Sequence, residues 1–149
     1  MTSEFMRNLL SKDEKITVEY KSCQYGIQED VYETVCSFSN RYGGYIIMGA
    51  EDDGTPIGVK QNMVKDMKRN FVNQLNNPDK MSPTLYLSIE DFEYEGKILL
   101  WVYVPPTATV EKCGNRIYDR NEDGDMDITD SPIQLQNMYN RKSTTYAEH

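Results

Sequence analysis

Between Ile27 and Asn40 the apolar residues Ile27, Val31, Val35 and Phe38 recur every three or four positions, whereas on both sides of that run the period falls to two. Helix-period and strand-period segments in one chain must bury their apolar faces against each other, which calls for an α+β fold. Upstream, Phe5, Met6, Leu9 and Leu10 follow helical spacing in a short amphipathic segment. ITVEYKS then alternates as a strand, with Val18 and Tyr20 on one face and Glu19 and Lys21 on the other. Gly43 and Gly44 end the 27–40 helix. GYIIMGAE reads as a buried strand, EDDGTP as the turn behind it and IGV as a short returning arm.

Met63, Met67, Phe71 and Leu75, flanked by Val64 and Val72, mark a second helix that Asn76, Asn77 and Pro78 stop; Lys65, Lys68 and Arg69 lie on its exposed side. TLYLSIEDFEY and KILLWVYVPP are two strand patterns joined at Glu95 and Gly96, expected to pair antiparallel in the middle of the sheet. NRIYDR predicts a last strand, and Ile133, Leu135, Met138 and Tyr139 a final helix beginning at Ser131 and Pro132. The expected architecture is a mixed sheet of about five or six strands flanked by three or four helices. The 149 residues suit one domain spanning 1–149, and the polar ending KSTTYAEH reads as a cut from a longer chain.

Composition narrows the chemistry. The only histidine is His149, so a Ser-His-Asp triad or a histidine metal site is excluded, and acid–base or metal chemistry would fall to carboxylates. Cys23, Cys36 and Cys113 are odd in number and widely spaced, as expected of reduced packing residues in the cytoplasm. No run approaches the roughly 20 apolar residues of a membrane span, so no membrane partner is expected. The net charge of −8 opposes a phosphate-coating protein, but without residues 119–130 the chain holds 18 acids against 15 bases, so the excess acidity is local. There is no GKS or GKT after a glycine loop, and Gly43, Gly44, Gly49 and Gly54 read as turns and close approaches rather than an ATP cradle.

Two acidic constellations remain. Glu14, Glu19 and Lys21 lie on or before the first strand, and Asp52 and Asp53 lie where the second strand turns, so strand ends of one sheet can gather them around Mg²⁺ or Mn²⁺. The same pattern alone also suits a solvated strand face. DRNEDGDMDITD carries Asp119, Asn121 and Asp123 at the first, third and fifth places of a twelve-residue calcium loop. Asp125 follows, Gly124 takes the turn and Asp130 replaces the usual terminal Glu. An acidic surface turn is the alternative. Tyr25, Tyr42 and Tyr118 are candidates for stacking on unpaired bases.

VEYK, the helix ending CSFSNRYGG, the strand YIIMGAEDDGTPIGV, then WVYVPP, NRIYDRN and YNRK together resemble the Schlafen AlbA-type domain, also called the divergent AAA or DNA-binding domain. The resemblance implies the N-terminal module of a bacterial transcriptional regulator that binds DNA or RNA. For such binding the exposed Lys65, Lys68 and Arg69 of the second helix, with Tyr42, are the candidate contact residues. In vertebrate Schlafen nucleases two glutamates and an aspartate at matching motif positions cleave RNA with a divalent metal, which implies Glu14, Glu19 and Asp52 with Lys21 beside them as a candidate catalytic set. A binding module leads these expectations, a metal-dependent ribonuclease follows, and a homo-oligomerising module is third.

Overall fold

The computed structural model describes residues 1–12 and 16–147. The chain opens with α1 (Ser3–Leu10), capped by the Thr2 hydroxyl accepting from the Phe5 N–H. A strand–helix–strand unit follows: β1 (Val18–Lys21), α2 (Asp30–Asn40) and β2 (Gly44–Met48). A turn of 3₁₀ helix at Gln61–Met63 leads into α3 (Val64–Leu75). Beyond it come β3 (Met81–Ser82), β4 (Glu90–Tyr94), β5 (Lys97–Val104), β6 (Lys112–Cys113), β7 (Tyr118–Asn121), β8 (Gly124–Asp127) and α4 (Pro132–Ala147).

The main sheet has four strands in the order β1-β2-β5-β4, with β1 and β2 parallel and the other pairs antiparallel. The α+β class and the helices agree with the sequence. The strand count differs, because β3 with β6 and β7 with β8 form separate two-stranded ribbons. β4 and β5 do pair through Glu95 and Gly96, but only β5 is central. β4 carries the exposed acids Glu90, Asp91 and Glu93, and such charge suits an edge that must not recruit another strand. Residues 84–88 alternate in burial without joining the ladder: Leu85 and Leu87 pack on the core while Tyr86 is exposed. After EDDGTP only an isolated bridge between Ala50 and Pro56 forms.

Strand alternation sends Ile46, Met48, Leu100, Val102 and Val104 to one face of the sheet, where α2 and α3 add Val31, Val35, Phe38, Met67, Phe71 and Leu75. The other face carries Val18, Tyr20, Ile47 and Leu99, covered by Met6, Leu9 and Leu10 of α1. The Tyr20 hydroxyl donates to the Leu9 or Lys12 carbonyl, closing α1 onto β1. Gly43, at φ +72°, lets the chain leave α2 and pass under β5; a Cβ there would lie 2.6 Å from the Val104 carbonyl oxygen.

A third cluster of Ile117, Ile128 and Met138 seats α4. Lys142 anchors that helix: its buried ammonium donates to the carbonyls of Ser39 (3.0 Å), Thr107 (3.1 Å) and Thr109 (2.7 Å). Nearby, the Asn40 side chain brackets the Glu111 backbone, donating to its carbonyl and accepting from its N–H. The Glu111 carboxyl is fully buried, and among the described residues neither of its oxygens has a hydrogen bond. Burial pushes Glu111 up from 4.5 to about 8, against the opposing pull of Lys142. Burial, aided by Arg141, brings Lys142 down to about 8.

A carboxyl raised in the folded state holds its proton where the unfolded chain has lost it. Its contribution to stability is therefore complete below about 4.5 and is lost as the pH rises toward about 8. Urea unfolding of the parent should lose on the order of 3 kcal/mol more over that interval than Glu111→Gln, which has no proton to release. Parallel pH profiles for the two proteins would contradict the assignment.

Candidate functional site

β1 and β2 run parallel, so their C-terminal ends open on the same side, and the chain segments beyond them wall a cleft of about 700 Å³. Glu19 and Lys21 enter it from β1, Asp30 from the start of α2, and Glu51, Asp52 and Asp53 from the loop after β2. Lys21 Nζ lies 2.8 Å from Asp30 Oδ2 and 3.8 Å from Glu19 Oε1. Burial lowers the Lys21 pKa, but the Asp30 hydrogen bond and the Glu19, Asp30 and Asp125 carboxylates outweigh it, leaving the value raised. Asp53 closes an Asx turn by accepting from the Thr55 N–H at 2.9 Å, and hydrogen bonding to Thr55 lowers its pKa. Asp52 is exposed and has no ion pair or hydrogen bond among the described residues.

Behind Glu19 lies Arg120, whose side chain is 1% exposed. Its Nη1 faces Glu19 Oε1 at 3.4 Å and Asp125 Oδ1 at 2.8 Å, its Nε donates to the Ile16 carbonyl at 3.2 Å, and its Nη2 to the Val18 carbonyl at 3.4 Å. The guanidinium lies 4.8 Å from the Phe38 ring centroid. Asp125 also accepts from the Thr34 and Ser37 hydroxyls of α2, at 2.6 and 2.5 Å. The sequence patterns did not single out Arg120 for this role, although a lone base among six acids is a visible signal for a buried counter-ion.

The structure thus brings Glu19, Lys21 and Asp52 to one cleft, while Glu14 lies outside the described residues. Among the described residues no three of His, Cys, Asp and Glu form a group able to hold a metal, and Glu19 turns toward two cations. The described donors alone do not fit a divalent ion.

The 119–130 string folds as the β7–β8 hairpin, with its acids dispersed rather than convergent. Asp119 takes a two-pronged ion pair from Arg41, at 3.0 and 2.6 Å, and Asp125 belongs to Arg120. Asp127 and Asp130 share Arg116, at 2.8 and 3.0 Å, and Asn121 accepts from the Asp123 N–H at 2.8 Å. On α3, Lys68 pairs with Asp91 and Arg69 with Asp66, leaving Lys65 as the member of that trio without an ion pair among the described residues. Tyr42 is 60% exposed, with the Arg41 guanidinium 5.7 Å from its ring centroid. Tyr25 is exposed beside Lys60, whereas Tyr118 packs against the main core.

An α+β domain in which a Glu-x-Lys strand and an acidic turn face each other across a cleft is the class these features define. The family described as Schlafen, AlbA_2 matches residues 14–129, and the chain belongs to that family. A solved relative is the N-terminal domain of a RecG-related protein from Nitrosomonas europaea, with 26% identity over 70% of this chain and 72% of that one and a TM-score of 0.56. The DIP2311 protein of Corynebacterium diphtheriae shares the fold at 17% identity and a TM-score of 0.59; the match spans 81% of this chain but only 25% of that one. No curated protein matches the sequence.

Removing Arg120 would take a cation from two largely buried carboxylates and uncap two carbonyls of the β1 edge. Arg120→Ala should cost about 3–5 kcal/mol in urea unfolding. Arg120→Lys, which keeps the charge but not the fork, should fall between it and the parent. A loss below about 1 kcal/mol would show the network to be dispensable.

Proposed function

We propose that this domain is the nucleic-acid-binding module of a bacterial transcriptional regulator. The observation that carries the reading is the likeness to the N-terminal domain of a RecG-related protein, described as related to an ATP-dependent DNA helicase, within one shared family. The exposed side of α3 supports it. Lys65 is open to phosphate, and Lys68 and Arg69 sit in partly exposed pairs that a polyanion can exchange for its own oxygens at little cost. Binding through such contacts releases counterions and must weaken steeply with salt. Fluorescence anisotropy at low salt should detect association with DNA or RNA. Neutralising Lys65, Lys68 and Arg69 together should flatten the log–log salt slope by up to about 3. No association with any single- or double-stranded nucleic acid would end this reading.

A second reading, a divalent-metal-dependent ribonuclease, is favoured by one observation: Glu19, Lys21 and Asp52 line the same cleft. Glu14 would supply the remaining carboxylate. A metal held there would activate water and neutralise charge on a phosphodiester. The chain's own residues would supply the oxygen donors, while Lys21 is suited to offset charge on a phosphate oxygen. Incubation of structured RNA with Mn²⁺ should then give products that both Glu19→Gln and Asp52→Asn abolish. Equal products from parent and variants would mark a contaminant, and no products from the parent would leave a binding module alone.

A further inference from the structure

We propose that the uncovered part of the sheet's second face is a stacking site for an unpaired base of a single-stranded nucleic acid, built by Phe5, Tyr42, Tyr45 and Tyr103. This rests on the nucleic-acid reading and gives it a surface and a strand state.

The site follows from a shortage of helix. α1 has eight residues and is about 12 Å long, so it covers only part of this face. At the beginning of β2 and the end of β5, Tyr45 and Tyr103 stand directly opposite each other in register. Their rings lie 5.0 Å apart at 51°, and the Phe5 ring lies 5.6 Å from Tyr45. Phe5 is 43% exposed and Tyr103 44%, large fractions for rings that each already contact Tyr45. With Tyr42 they border a groove of about 260 Å³. That is below the roughly 300–1,000 Å³ of ordinary small-molecule pockets and suits one planar group. Gly43 and Gly44 line the same groove without adding side chains to it.

Charge selects the occupant. The Glu19 cleft is lined by five carboxylates, whereas among the described residues lining this groove there is no carboxylate and one charged group, Lys12. Arg41, already paired with Asp119, lies against the Tyr42 ring at its margin. On a chain of net charge −8, this is a place where a phosphate backbone approaches aromatic rings beside Lys12 without meeting an acid among the described lining residues. Aromatic faces stack on bases of any identity, but only when those bases are not already stacked in a duplex, so the fitting ligand is single-stranded. The groove and α3 pack on opposite faces of the sheet, so a base here and phosphates on α3 belong to different segments of a strand.

The test compares anisotropy for labelled oligothymidylate and oligouridylate of about a dozen nucleotides, an abasic strand of equal length and a duplex. The parent should bind the base-bearing strands tightest, and the two arms separate DNA from RNA. Tyr42→Ala combined with Tyr103→Ala should weaken that binding by about tenfold or more. Tyr103→Phe, which keeps the ring, should retain it, and binding of the abasic strand should be the same for parent and double variant. Circular dichroism establishes that the variants are folded. Equal binding of abasic and base-bearing strands, or a double variant that binds like the parent, would overturn the stacking site while leaving nucleic-acid binding intact. No binding by the parent would remove both. Self-association in sedimentation that the double variant abolishes would assign the groove to a second copy of the chain instead.

Discussion

Arg120 is the group on which several parts of the molecule converge. Its guanidinium lies between the β7–β8 hairpin that carries it, the outer edge of β1 and the Phe38 ring of α2. By donating to the Ile16 and Val18 carbonyls it satisfies backbone groups at an edge strand that would otherwise be open to pairing. A buried ion pair of this kind gains little net stability over an apolar substitute, because desolvation offsets the Coulomb attraction. What it supplies is position. The guanidinium fork has a fixed geometry, and Glu19 and Asp125 are both held against it.

The same logic governs the rest of the acidic hairpin. Asp119 is held by Arg41, with Arg141 of α4 at 3.8 Å, while Asp127 and Asp130 lie against Arg116. A run that is strongly negative in sequence is therefore largely compensated in space by Arg41 just past α2, Arg141 of α4, and Arg116 and Arg120 nearby in the chain. Acidity without such compensation collects in the loop after β2, where Glu51 and Asp52 have no ion pair among the described residues. In the string itself Glu122 and Asp123 also have no ion pair among the described residues, so surplus negative charge is shared between the hairpin's tip and the cleft.

The helices and the four main strands were legible because their apolar periods are set by burial on one side, as with Met67, Phe71 and Leu75 in α3. β8 was not legible. GDMD has none of the β-branched or aromatic residues that mark a strand, and it pairs because Arg120 and α2 hold Asp125 in place. TLYLSI erred in the opposite direction, since alternation records which side chains are buried and not whether the backbone has a partner. For the site, the VEYK strand and the EDDG turn pointed to Glu19, Lys21 and Asp52, and all three line one cleft. The hairpin's arginine partners were hidden because they come from residues as far as 78 positions away. The aromatic groove was half hidden too: Tyr42 was visible as a candidate, whereas Tyr45 and Tyr103 meet only through the β2–β5 register.

That register also links the two surfaces. Thr17, Val18, Gly44 and Tyr45 line the groove at the beginning of the β1–β2 pair, and Lys21, Ser22, Ala50 and Glu51 line the cleft at its end. Along β1 the side chains alternate, so Val18 and Tyr20 go to the α1 side while Glu19 goes to Arg120. A slip of one residue would drive Glu19 among Met6, Leu9 and Leu10 and carry Tyr20 into the space of the guanidinium. Burying a carboxylate in that apolar cluster is far costlier than exposing a ring, so the apolar packing of α1 fixes the aim of Glu19. The Tyr20 hydroxyl, bonded to the end of α1, reinforces the same register. One short strand therefore serves as the floor of an aromatic groove at one end and as the carrier of a charged cleft at the other, and neither can shift without the other.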